Sequence, residues 1–210
     1  MSDSVPDRRP GGRTADVTRR INEAVLALLA EGGIDACTFS NVAARAGIER
    51  STLYRRSPNR WPAIVDALIN LADRETPMET SGSFRRDLHH LLSRLADILA
   101  SPLGPGIMSV AAALRGDVAP GQTERFWESR RKQLAPSFDA AIQRGELPAD
   151  VRADELFAMA AGPIYFHLFV IGRPADQPWI EEIVSSVCDR YSIEGYQAPI
   201  RTVEPTSVTV

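Results

Sequence analysis

Arg50, Ser51, Thr52, Tyr54, Arg55 and Arg56 crowd into one short stretch, and Arg60 follows closely. Guanidinium groups fork onto phosphate oxygens and guanine edges, and hydroxyls can bond to either. The chemistry this set suits is contact with a nucleic acid. Other chemistries have weaker claims. No Ser-His-Asp order, phosphate-cradling loop or carboxylate pair stands out, so an enzyme has no positive support. His89 and His90 are adjacent, and helical neighbours diverge by about 100°, so they do not easily share one ion. No metal and no cofactor are expected. A small helical enzyme or carrier is the alternative reading.

The basic cluster needs a scaffold, and residues 38–60 read TFSNVAARAGIERSTLYRRSPNR. A helix-turn-helix needs a small residue where its helices cross, and Ala43 is one. Its tight turn needs a residue that tolerates a left-handed backbone, and Gly47 stands four positions on. Val42, Ile48 and Leu53 can lock the two helices together. Thr38 or Ser40 can cap the first helix. Arg50, at the front of the second helix, suits a bidentate guanine contact.

The rest of the chain has helical period. Val17, Ile21, Ala24, Val25, Leu28 and Leu29 form one stripe, which Gly32-Gly33 stops. Phe84, Leu88, Leu91, Leu92, Leu95, Ile98 and Leu99 form another. Trp127, Leu134, Phe138, Ala141 and Ile142 suggest a third. Trp179, Ile180, Ile183, Val184, Val187, Cys188 and Tyr191 form the last. No run alternates with period two, so the fold class is all-α: a helix-turn-helix domain plus a helical-bundle domain. Breaks are expected at 76–83, 101–106, 116–121, 145–151 and 172–178. The expected division is a disordered basic arm at 1–13, the helix-turn-helix at 14–60, a helical body at 61–191 and a disordered tail at 192–210.

Apolar residues are 44% of the 210 and charged residues 24%, which allows a real core and excludes general disorder. The net charge of −3 excludes a uniformly basic protein. Residues 1–60 nevertheless carry ten arginines against seven acids, whereas the remainder is acidic. A basic head on an acidic body suits nucleic-acid contact by the head. Cys37 and Cys188 stand alone, which reads as a reducing, cytoplasmic setting. Residues 1–13 contain no apolar run, so no secretory leader is expected. The longest apolar stretch, Leu156–Ile171, is interrupted by Gly162-Pro163 and His167. It reads as a buried helix and not a membrane span.

From about Thr14 to Leu68 the chain resembles the TetR family of bacterial transcriptional regulators. The resemblance rests on Glu31-Gly32-Gly33, on T-F-S-N-V-A-A-R-A-G-I and on S-T-L-Y-R-R-x-P-N-R. Residues 124–191 more loosely resemble a TetR-type C-terminal domain, with Arg144-Gly145-Glu146-Leu147-Pro148 ahead of two apolar helices. The resemblance implies a cytoplasmic homodimer, most often a repressor, on a palindromic double-stranded DNA operator, released by a small molecule in the body. It implies that Thr52, Tyr54 and Arg60 hold phosphates and that Arg56, with Arg55 beside it, meets the backbone. Arg50 and Ser51 would face bases, and Ser40 a base or a phosphate. Ser57 departs from the pattern, because a bulky aromatic is usual there. Trp61-Pro62 also departs, replacing an acidic-aliphatic start of the next helix.

In the body, helix 156–171 is apolar on nearly all sides, so it must be covered all round. Its own domain can cover one face and a second copy the other. Phe169, Ile180, Val184 and Val187 are the expected dimer residues. Met108, Phe126, Trp127, Phe157, Tyr165 and His167 are candidate walls of a mostly apolar pocket for a hydrophobic or aromatic effector. Which of them share one cavity is left open by the sequence.

Overall fold

The computed structural model describes residues 11–116 and 118–192, and no strand occurs among them. Residues 1–10 of the expected arm and the tail beyond 192 lie outside the described residues, whereas residues 11–13 of that arm already belong to the first helix. The helices are α1 (Gly11–Ala36), α2 (Phe39–Ala46), α3 (Arg50–Arg56), α4 (Trp61–Glu75), α5 (Phe84–Ala100), α6 (Gly104–Ala113), α7 (Gln122–Gln143), α8 (Ala153–Phe166) and α9 (Gln177–Tyr191). A π-helical turn, His167–Ile171, prolongs α8. The chain is all-α, as the periodicities require.

α1 buries the stripe Ile21, Ala24, Val25, Leu28 and Leu29, and its helical geometry breaks at Gly32-Gly33. α2 starts where Thr38 accepts a hydrogen bond from the Asn41 amide, 3.1 Å, satisfying one free first-turn donor. Gly47 ends α2 at φ 62°, ψ 42°, a conformation that glycine adopts without steric cost. α4 begins with Trp61-Pro62; the proline sits where no intrahelical N–H is needed, and Asn59 accepts from the Trp61 amide at 3.1 Å.

α5 and α6 meet at a 92° bend. α6 begins at Gly104, inside the break expected at 101–106, because Pro105 in a first turn initiates a helix and does not end one. α6 then crosses α1 closely. A Cβ on Gly106 would lie 2.4 Å from the Leu29 carbonyl oxygen, so only glycine permits the approach. Beside it, Ser109 accepts from the Ile34 amide at 3.2 Å.

Two apolar cores result. One joins α1, α2, α3 and α4 and includes Val110 of α6 and Ala119 beyond it. The other fills the body between α5, α7, α8 and α9. Ile180 and Val184 are completely buried there and Val187 almost so, which corrects their expected place in a dimer interface. The buried part of the α9 stripe faces α5 and α8 of its own chain, whereas Trp179, Ile183 and Cys188 stay partly exposed. Phe169 is half-buried against the same core. Helix α8 is not covered all round: Leu156, Ala160 and Ile164 point inward, whereas Met159, Phe166, Val170 and Ile171 are exposed. Ala153–Ile171 is long and apolar enough to cross a membrane by length and composition; in the fold its inward side packs into the body.

Candidate nucleic-acid interface and apolar cleft

α3 is anchored by Leu53, which is 2% exposed. Around that anchor Arg50, Ser51, Tyr54, Arg55 and Arg56 face solvent, as does Ser40 on α2, and Thr52 is half-exposed. The structure thus brings the head residues singled out by sequence onto or beside one surface. Some of them already hold one another. Arg50 lies over the Tyr54 ring, 5.9 Å from its centroid, with Nη2 3.4 Å from the phenol oxygen. The Tyr54 ring meets Phe39 edge-on at 4.9 Å. Arg56 donates to Thr18 Oγ1 at 2.9 Å, tying α3 to α1. Arg60 is half-buried; it donates to the Ile34 carbonyl at 3.2 Å and lies over Trp61. Its guanidinium therefore joins α4 to the end of α1 as well as standing beside the head surface.

Supporting residues not singled out by sequence are Phe39, Thr18 and Arg20. Arg20 donates to the Ala46 and Gly47 carbonyls at 3.2 and 3.3 Å and so closes the turn before α3. Arg45 is held by Glu31 through two bonds of 2.8 and 2.5 Å, which withdraws it from the free basic set. Ser57 is buried, and its hydroxyl has no partner among the described residues. No aromatic anchor fills that site.

A cleft of about 450 Å³ opens between α7 and α8. Trp127, Phe157 and Tyr165 line it, together with Leu134, Ala161 and Arg130. Three of the six expected wall residues do not. Phe126 packs on the α4 side of α7, with its ring edge-on to Trp127 at 5.3 Å. His167 stacks on Trp179 at 4.1 Å. Met108 sits on α6, which supplies no residue to the cleft. Phe126 and Trp127 are neighbours in sequence, and of the two only Trp127 faces the cleft.

Four charged residues also line the cleft, Glu124, Arg130, Arg131 and Asp154, and the buried one among them was missed by sequence reasoning. Arg130 is only 5% exposed; it donates through Nη1 to the Thr76 carbonyl at 2.9 Å and to Gln133. Its guanidinium lies 5.5 Å from the Phe157 ring centroid. Burial pulls its pKa down to about 10, with Tyr165 and Asp73 acting the other way, so it stays charged at neutral pH. Burial in turn raises the pKa of Tyr165, against the nearby Arg130 charge. The available signal was register: Arg130 is four residues before Leu134 and eight before Phe138, on the buried stripe of α7. His89 and His90 turn to different acids, Glu181 and Glu79, and no metal-holding cluster occurs among the described residues.

An exposed arginine-bearing second helix on a compact turn, carried by a helical body, defines a helix-turn-helix regulator. Comparisons with known proteins make the class specific. The profile of the bacterial regulatory proteins of the tetR family matches residues 21–60, and that of the tetracyclin repressor-like C-terminal domain matches 78–187. The second alone spans more than half of the chain, and the protein belongs to the TetR family of transcription regulators, not to a family of enzymes. It is 27% identical over 200 residues to the uncharacterized HTH-type transcriptional regulator YdeS of Bacillus subtilis, covering 94% of this chain and 98% of that one. It is 26% identical over 188 residues to the HTH-type transcriptional regulator AqdR of Rhodococcus erythropolis, covering 89% and 90%. In fold it is similar to the TetR family transcription regulator SCO0332, with a TM-score of 0.69 and 21% identity over 87% of this chain and all of that one.

Proposed function

We propose that this regulator is a cytoplasmic repressor that binds a palindromic operator as a homodimer and leaves it when a hydrophobic or aromatic small molecule enters the α7–α8 cleft. The observation that carries the reading is the solvent-facing side of α3, where Arg50, Ser51, Tyr54 and Arg55 rise over buried Leu53. Arg50 and Ser51 read base edges, and Tyr54, Thr52, Arg55 and Arg56 hold the backbone. Ser40 and Arg60 flank this face. The cleft supports the ligand response, because apolar concavities of this size suit small molecules. The exposed apolar side of Met159, Phe166, Val170 and Ile171 supports self-association.

A ligand acts here only by preferring one arrangement of the two heads. A change of about 100-fold in DNA affinity needs about 2.7 kcal/mol of differential binding. Gly162 lines the cleft, and a Cβ on it would meet nothing within 4 Å. Gly162→Leu is expected to fill the cleft, keep operator affinity and abolish release. The primary test is a genome-wide search for bound DNA, beginning upstream of the protein's own gene. In vitro transcription from a bound promoter should fall when the protein is added; no selective binding anywhere would overturn the proposal.

A further inference from the structure

The cleft contains a charge that no carboxylate touches: Asp73 acts on Arg130 only at a distance, without an ion-pair contact. No carboxylate among the described residues lies within ion-pair distance of Arg130. Of its nitrogens only Nη1 donates, to the Thr76 carbonyl and to Gln133. Its other N–H groups have no hydrogen-bond partner among the described residues, and the residue lines the cleft. The acids nearest the mouth, Glu124 and Asp154, are engaged by Arg131, the second at 3.7 Å. A cation placed in an apolar wall is costly unless something anionic pairs with it.

We infer that the cleft is built for an amphipathic acid: a ligand with a flat aromatic or apolar body and one anionic oxygen group that pairs with Arg130. This rests on the effector reading above and names the chemical class of the effector. The body would lie among Trp127, Phe157, Leu134 and Tyr165. The anion would meet the free edge of the guanidinium and draw on the donors now held by Thr76.

That partner gives the ligand its line to the DNA-reading head. Thr76 caps the C-terminal end of α4, whose other end, at Trp61, closes the core of the head. Gln133, one turn from Arg130, holds the Ala72 carbonyl of the same helix end at 3.2 Å. An anion that competes with the Thr76 carbonyl for Arg130 loosens one of the two holds of α7 on the end of α4. A neutral ligand of the same shape leaves the grip intact. Acids are therefore expected to bind more tightly and also to release DNA.

The test uses the full-length protein and matched probes: benzoate, 2-naphthoate, 4-biphenylcarboxylate and decanoate, each against its primary amide. Calorimetry without DNA reads binding. At least one acid should bind about tenfold or more tighter than its amide. Arg130→Lys should keep that preference, and Arg130→Gln, which retains a donor for Thr76, should reduce it to within about twofold. Equal binding of acids and amides, or no binding by any acid, overturns the inference; this comparison needs only the wild-type protein. Persistence of the preference in a folded Arg130→Gln variant also overturns it. Operator release is read separately. Acids that bind through Arg130 but do not lower operator affinity support the anion subsite and sink the effector reading. Amides that release operator as well as acids do leave the effector reading standing and sink this one.

Discussion

Arg50 is the side chain on which base selectivity should turn. It stands at the first turn of α3, free except for Tyr54. Arg50→Ala is expected to cost about 1–3 kcal/mol at the cognate operator and to relax preference at one base position. Full retention of affinity and preference in a binding-site selection would rule the role out. Tyr54→Phe keeps the ring against Phe39 and loses only the hydroxyl, so binding should weaken alike on all sequences. A loss confined to one base position would contradict that. The thiols make a different prediction. Burial pushes Cys37 up to about 11 against the pull of Arg60, and Cys188 up to about 11 against that of Arg85. Both stay protonated at pH 8, so both should react slowly with a disulfide reagent until the protein is unfolded. Rapid labelling of the native protein would contradict it. The head's chemistry was legible because its residues are contiguous and their types are diagnostic. The cleft was only half legible. Its walls come from two helices, with Trp127 and Phe157 30 positions apart, and Trp127 and Phe126 differ by one position that decides which side of α7 each occupies.

At the level of elements, periodicity located α1, α5, α7 and α9, because a 3.6-residue stripe survives without tertiary information, and the motif located α2 and α3. It did not say which neighbour each stripe meets. The α9 stripe of Ile180, Val184 and Val187 looked available for a partner and proved to be the body's own core. Ends were harder than middles: Pro105 and Gly106 resemble a loop, yet they open α6. Gly106 is where the helices come closest, and its substitution is informative. Gly106→Ala drives a methyl into the Leu29 carbonyl and should lower stability by about 1–3 kcal/mol. Gly162→Ala, which meets open space, should leave it equal or slightly higher. Thermal melts of the two variants should move in these directions; equal melting points would mean that the α1–α6 crossing relaxes freely.

For the whole molecule, the proposed self-association rests on the exposed side of α8 and its π-helical turn. Val170 is 68% exposed and Val184 is not exposed at all. Val170→Asp should therefore give folded monomers with weak operator affinity, whereas Val184→Asp should give unfolded or insoluble protein. Light scattering with circular dichroism separates these outcomes, and a wild-type monomer at micromolar concentration would remove the dimer. Paired heads would read half-sites about 34–36 Å apart, or a multiple of it. The core shared by α1–α4 and α6 has a consequence for synthesis. The head's apolar centre is closed by Val110 and Ala119, far downstream of the residues proposed to touch DNA. At about 5–20 residues per second a ribosome needs roughly 3–12 s to go from residue 60 to residue 119. Until then the nascent head has an open side. A chain that ends before Val110 therefore lacks part of the core on which the head's helices pack, and its head should be less stable than that of the whole protein.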